Sequence, residues 1–173
     1  MVYGMRIEEL KKTKKRAVCA TTNKKTMVNI VFLAEENCIF SVIVSGIDAM
    51  LVANLWWKYL KPEDKHPLFN TQIITKDGES VVSHSGVSIK PESAISDVDQ
   101  IDLLIIPGFM EPLDNVPEDT QRLLRNLYEK GTKIAAVCTG VFTLAETGLL
   151  DGKIATTNWM LADTFKNRFP KVS

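Results

Sequence analysis

The chain has 173 residues, 45% hydrophobic and 24% charged, and its 21 basic and 21 acidic side chains cancel. That length and apolar content suit one α/β domain with a sizeable core. Zero net charge gives no general attraction to nucleic acid or an anionic membrane, and three cysteines without zinc spacing imply neither a disulfide framework nor a metal site.

Residues 1–26 are set apart by charge. Eight basic residues, including Lys11, Lys12, Lys14, Lys15 and Arg16, stand there against Glu8 and Glu9. With no helix-turn-helix pattern and no interleaved aromatics, this basic leader reads as a solvated segment ahead of the domain, not a nucleic-acid element. The first apolar run comes too late for a signal peptide, so a cytoplasmic protein is expected. The domain proper is read as 27–173.

"VNIVFLA" (28–34) is a branched, fully apolar run, the pattern of a strand buried on both faces. "CIFSVIVSGIDAMLVANLWW" (38–57) approaches membrane length, but Asp48, Asn54, Ser41, Ser45 and Gly46 argue for a buried helix of a soluble fold. Its helical part is expected over 44–59, with Ile47, Leu51, Leu55 and Tyr59 on one face. A polar loop (61–67) leads to "FNTQIITKDGESVV" (69–82), read as a strand, a turn at Asp77-Gly78 and a second strand. "IDLLIIPG" (101–108) is another apolar strand, stopped by Pro107-Gly108. In 116–131, Pro117, Glu118 and Asp119 open a helix, Leu123, Leu124, Leu127 and Tyr128 form its stripe, and Gly131 closes it. "KIAAV" (133–137) is a third buried strand, "VFTLAETG" a helix, and "KIATTN" (153–158) strand-like again.

Strands alternating with helices across short loops predict a mostly parallel sheet covered on both faces. Such folds bind ligands beyond the carboxyl ends of their strands, where this chain places Pro107-Gly108 and Cys138-Thr139-Gly140. Between a buried strand and a helix start, Cys138 would project over the sheet rim, a setting in which thiols act as nucleophiles. The Thr139 amide, with the Gly108 and Phe109 amides of the neighbouring loop, could receive an oxyanion, and Gly140 leaves the backbone approach open. The plainer alternative is that Cys138 is a small buried apolar residue. A nucleophilic cysteine also needs a base. The two histidines, His66 in a proline-flanked loop and His84 in a hairpin, both read as solvated.

"PGF", "AAVCTGVFTLAETGLLDGKIATTNWMLADTFKNRFPKV" and "VFLA…GIDAMLVAN" together resemble the ThiJ/PfpI superfamily, with its class I glutamine amidotransferase-like fold. The nearest branch is the amidotransferase-like N-terminal domain of AraC-type transcriptional regulators. The resemblance implies a flavodoxin-like three-layer sandwich, a homodimer, and Cys138 at the nucleophile elbow, with no cofactor or metal. It puts Asn158 where the family's "ATTH" histidine stands, and an amide has no basic nitrogen. The family's acid on the first helix turn has no counterpart in "CIFSVIV" (38–44). Phe109 replaces the second glycine of the usual "PGG", where it can fill the pocket. The chain also stops before the family's last strand and helix.

Two functions follow. One is a non-catalytic domain that senses a small-molecule ligand or dimerises, with no nucleic acid bound through it and no membrane. The other is a cysteine-dependent hydrolase or hydratase acting through Cys138 on an amide, isonitrile or glyoxal-type substrate.

Overall fold

The computed structural model describes residues 27–112 and 115–173; the basic leader lies outside them. The chain begins with β1 (Val28–Leu33), followed by α1 (Phe40–Leu60) and β2 (Phe69–Thr75). A short hairpin, β3 (Val81–Val82) with β4 (Ser88–Ile89), precedes β5 (Ser93–Ala94) and β6 (Leu103–Ile106). Then come α2 (Glu118–Glu129), β7 (Lys133–Ala136), α3 (Gly140–Glu146) and α4 (Ala162–Arg168).

Five strands form one sheet in the order β5-β2-β1-β6-β7, every pairing parallel. Period-two alternation sends Ile30, Phe32 and Ala34 to one face and Val31 and Leu33 to the other, and all five are buried. The first face packs on Ile43, Ile47 and Met50 of α1 and on Ile89 of the hairpin. The second packs on Leu124 of α2 and Leu144 of α3, with Leu104 and Ile106. This is the flavodoxin-like three-layer sandwich. Each fully buried Leu, Ile or Phe contributes about 1.5–3 kcal/mol, so the two-sided core dominates the favourable energy. Chain direction across the sheet reverses between β1 and β6, and the carboxyl ends flanking that reversal are where α/β folds bind ligands.

Several local expectations are corrected. The helix expected over 44–59 runs from Phe40 to Leu60, and it is a surface helix: of its residues only Ile43 is fully buried. Its length and composition would suffice to cross a membrane, yet one side is docked on the sheet and the other carries Leu55 at 68% and Tyr59 at 71% exposure. Segment 69–82 is the strand, turn and second strand that its residues suggest, but the two strands do not pair with each other: β2 pairs with β1, and β3 with β4. Ser93–Ala94, too short and polar to read as a strand, extends the sheet beside β2. Tyr128 leaves the α2 stripe for solvent, where the Lys153 ammonium lies 5.6 Å from its ring centre. Finally, 153–158 joins no sheet. It runs extended against the chain's end, with Ala155 N–H donating to Ser173 O (2.9 Å) and Ser173 N–H to Lys153 O (2.9 Å).

Gly46 shows how closely α1 sits. A Cβ there would lie 2.6 Å from Cε1 of Phe32, whose ring is sealed in the core at 1% exposure. On an open helix face Gly→Ala gains about 1 kcal/mol. Here the overpacking cost of about 1–3 kcal/mol outweighs it, so Gly46→Ala is expected to lower the thermal midpoint; a raised midpoint by calorimetry would refute this packing.

Candidate functional site

The strand–turn–helix at β7–α3 builds the elbow. Cys138 has φ +54°, one of two positive-φ non-glycine residues among those described, in a region that costs an L-residue about 1–2 kcal/mol. The turn holds because its surroundings overdetermine it. A Cβ on Gly140 would stand 2.3 Å from the Pro107 carbonyl oxygen, so only glycine lets α3 begin against the loop after β6. Thr139, 2% exposed, receives a hydrogen bond from Phe109 N–H (2.6 Å), and its own hydroxyl donates to Phe109 O (2.5 Å). One hydroxyl therefore satisfies both backbone groups of Phe109 and bolts the two loops together.

This corrects one expectation. The Phe109 amide, a candidate oxyanion donor, is already bonded to Thr139. Nor does the Phe109 ring fill the cleft: it is buried at 3% in the core with Cys38, Phe32 and Ile43, and Phe109 bridges to Cys38. The Gly108 carbonyl accepts from Ile39 N–H at 2.8 Å, tying the start of α1 to the same loop. Among the described residues the amides of Gly108 and Thr139 carry no hydrogen bond, and they remain the candidate donors beside Cys138.

Cys138 is solvent-exposed, so the plain alternative of a buried filler residue does not apply. It opens on a cleft of about 550 Å³ lined by Ala136, Cys138, Thr156, Thr157, Asn158 and Trp159. The segment carrying the last four is held over the elbow by aromatic packing. Phe142 of α3 meets Phe165 of α4 edge-on at 4.9 Å, and Phe165 contacts Phe169 at 5.1 Å. Arg168 lies over the Phe169 ring and donates from Nε to Glu146 at 2.9 Å. The Thr157 hydroxyl, 3.4 Å from the Cys138 carbonyl oxygen, closes the cleft wall.

The fold thus brings Cys138 and Asn158 to one cleft. Asn158 also shapes its own loop, since its Oδ1 accepts from Met160 N–H at 3.0 Å and caps the 3-10 turn Trp159–Leu161. Neither histidine joins them. His66 sits in the loop beyond α1 with its N–H on Asp64, and His84 in the exposed β3–β4 turn with its N–H on the Cys38 carbonyl. Among the described residues, Cys138 is the only titratable side chain lining the cleft.

A match to the DJ-1/PfpI family model runs over residues 57–172. This chain belongs to the DJ-1/PfpI family. It is 32% identical over 136 residues to the HTH-type transcriptional regulator CdhR of Pseudomonas aeruginosa, covering 78% of this chain and 38% of CdhR. It is 32% identical over 99 residues to an isonitrile hydratase of Pseudomonas putida, covering 56% of this chain and 43% of that protein. An AraC family transcriptional regulator from Pseudomonas putida shares the fold at TM-score 0.70 and 20% identity, over 84% of this chain and 74% of that one. The chain spans less than half the length of the two curated relatives, CdhR and the isonitrile hydratase.

One acidic residue outside the elbow takes on weight in this DJ-1/PfpI domain. Glu35, in the turn after β1 at the switch-point edge, has a sealed Oε2 with no hydrogen-bond partner. Burial pushes its carboxyl above the usual carboxylate range, opposed by the nearby Lys76 ammonium. Lys76 is itself bonded to Asp119 and holds that carboxyl below the usual range. Cys38, buried beside Glu35, has its thiol pushed up by burial and by the neighbouring acids. The signal in the sequence was only the Glu35-Glu36 pair after an apolar strand; that one carboxylate would be sealed depends on packing.

Two outcomes follow from this geometry. Thr139→Val keeps the shape but strands the Phe109 N–H and C=O, at a cost of about 1–3 kcal/mol in denaturant unfolding; an unchanged midpoint would contradict the bridging role. Glu35, protonated more readily when folded than when unfolded, contributes full stability below its ordinary value of 4.5, and this is lost as pH rises through its raised folded value. Glu35→Gln should flatten that decline and exceed the wild type at neutral pH. A wild-type stability no lower than that of the variant at neutral pH would show that Glu35 is not desolvated.

Proposed function

We propose that this chain is a non-catalytic, ligand-sensing and dimerising domain of the kind carried by AraC-type transcriptional regulators. The observation that carries the reading is the chemistry of the cleft: an exposed thiol on a rigid elbow, with no side chain among the described residues lining it that can accept the thiol's proton. General acid–base help is typically worth about 10²–10⁴-fold in rate, and the described residues lining the cleft include no group to supply it. A sensor needs no such group. It needs a preformed surface with a few oriented polar atoms, and the cleft lining offers the Thr156 and Thr157 hydroxyls and the Asn158 side-chain amide. Cys138 lies in the cleft lining, and Gly140 behind it lets α3 start against the loop after β6. The relationship to CdhR supports the regulatory assignment. The partners proposed are a small molecule and a second copy of the chain.

A second reading, a cysteine-dependent hydrolase or hydratase, is favoured by the φ +54° elbow and by the similarity to an isonitrile hydratase. The two separate by assay. The intact chain is expected to turn over no simple amide, isonitrile or glyoxal, while one member of a metabolite panel raises its thermal midpoint. Asn158→Ala should weaken that ligand while costing about 1 kcal/mol of stability through the lost cap. Turnover that vanishes in Cys138→Ala would overturn the sensor reading.

A further inference from the structure

A second cavity lies at the other end of α1 from the elbow. Leu55, which lines it, is fifteen residues beyond Phe40, the first residue of the helix. At a rise of 1.5 Å per residue, that places it about 22 Å along α1 from the Ile39–Gly108 tie. The loop that follows the helix is fastened back onto it. Asn54 Oδ1 accepts from Leu68 N–H (2.9 Å) and Phe69 N–H (3.0 Å), and its Nδ2 donates to Phe69 O (2.8 Å). Trp57 Nε1 donates to Asp64 Oδ2 at 3.2 Å, and His66 N–H donates to Asp64 Oδ1 at 3.1 Å. Asp64 N–H donates in turn to Lys61 O (2.9 Å). Pro62 and Pro67 fix φ near either end of the loop. Helix and loop therefore frame a preformed cavity of about 550 Å³. That is the size of a small-molecule site, and binding there orders no further backbone.

We propose that this cavity binds a small apolar carboxylate, at a site separate from the Cys138 cleft and independent of it. The lining selects that class. Leu51, Leu55 and Trp57 from the helix, with Pro62 and Pro67 from the loop, supply its apolar wall. Leu51 is 51% and Leu55 68% exposed, so a hydrocarbon body seated here removes from water a surface that the fold leaves wet. Lys58, Lys65 and His66 stand in the same lining, all three exposed. Neither lysine has an ion-pair partner among the described residues. Asp64, the one acid in the lining, already accepts at both of its oxygens, from Trp57 and from the His66 N–H. A cationic ligand would therefore meet two ammonium groups and a carboxylate already engaged. A carboxylate ligand meets the reverse: ammonium groups to hold its polar end, beside an apolar wall for its body.

Ligand-observed NMR titration of the intact chain with phenylacetate tests the site. Phenylacetate is expected to bind with a Kd of about 1 mM or tighter. Phenylacetamide has the same shape without the charge, and acetate has the charge without the ring; each should bind about tenfold more weakly. Lys58→Gln combined with Lys65→Gln should cost a similar factor with unchanged helical circular dichroism, since both side chains are exposed. Leu55→Asn should weaken phenylacetate as well. No saturable binding of phenylacetate overturns the inference. So does binding that the two lysine substitutions leave intact, or that phenylacetamide matches. Binding lost in Asn158→Ala but kept in the lysine variant would put the anion in the elbow cleft and overturns it too. Turnover at Cys138 would end the sensor reading and leave this site standing.

Discussion

The site depends on one hydroxyl. Thr139 sits between the loop after β6 and the start of α3, and its Oγ1 both receives from Phe109 N–H and donates to Phe109 O. Around that clasp, Gly140 lies against the Pro107 carbonyl and the Gly108 carbonyl takes the Ile39 amide. The carboxyl ends of β6 and β7 and the start of α1 are thereby one rigid unit. Cys138 keeps its left-handed backbone because the loops around it are already committed. A thiol can be held this way whether or not it reacts, so the elbow alone does not distinguish a catalyst from a sensor.

The distinction comes from what lies over the elbow. The 155–159 segment is pressed onto α3 by Phe142, Phe165 and Phe169, and it presents an amide where a base would be needed. That amide is half occupied by capping the turn that carries Trp159. A side chain engaged in shaping its own loop serves well as a fixed hydrogen-bonding wall. This is why the ligand-sensing reading fits more of the geometry than the hydrolytic one does.

The same economy marks α1. One side supplies Gly46 and Ile43 to the sheet, close enough that a methyl group would strike Phe32. The other is apolar without a partner among the described residues. The Ile39 amide ties the start of α1 to the Gly108 loop, beside the elbow that carries Cys138.

Much of this was legible in the residues themselves. Apolar runs at 28–34 and 103–106 mark strands of the sheet's interior, since nothing else needs so many branched side chains in sequence. The run at 133–137 marks a strand too, but β7 lies at the sheet edge and is only half-buried, because no described strand pairs on its outer side. Helix punctuation marks α2, and the "CTG" and "ATTN" stretches mark the elbow and the amide that stands beside it. Tertiary structure alone decided the rest. Whether 69–82 folds back on itself or joins β1 depends on which edge buries more surface. Whether α1 is covered or bare depends on how many layers the chain can supply. That Phe109 would turn into the core, and that the Glu35 carboxylate would be sealed without a partner, follows from contacts between residues far apart in the chain. Local patterns of period two or 3.6 carry no record of those contacts.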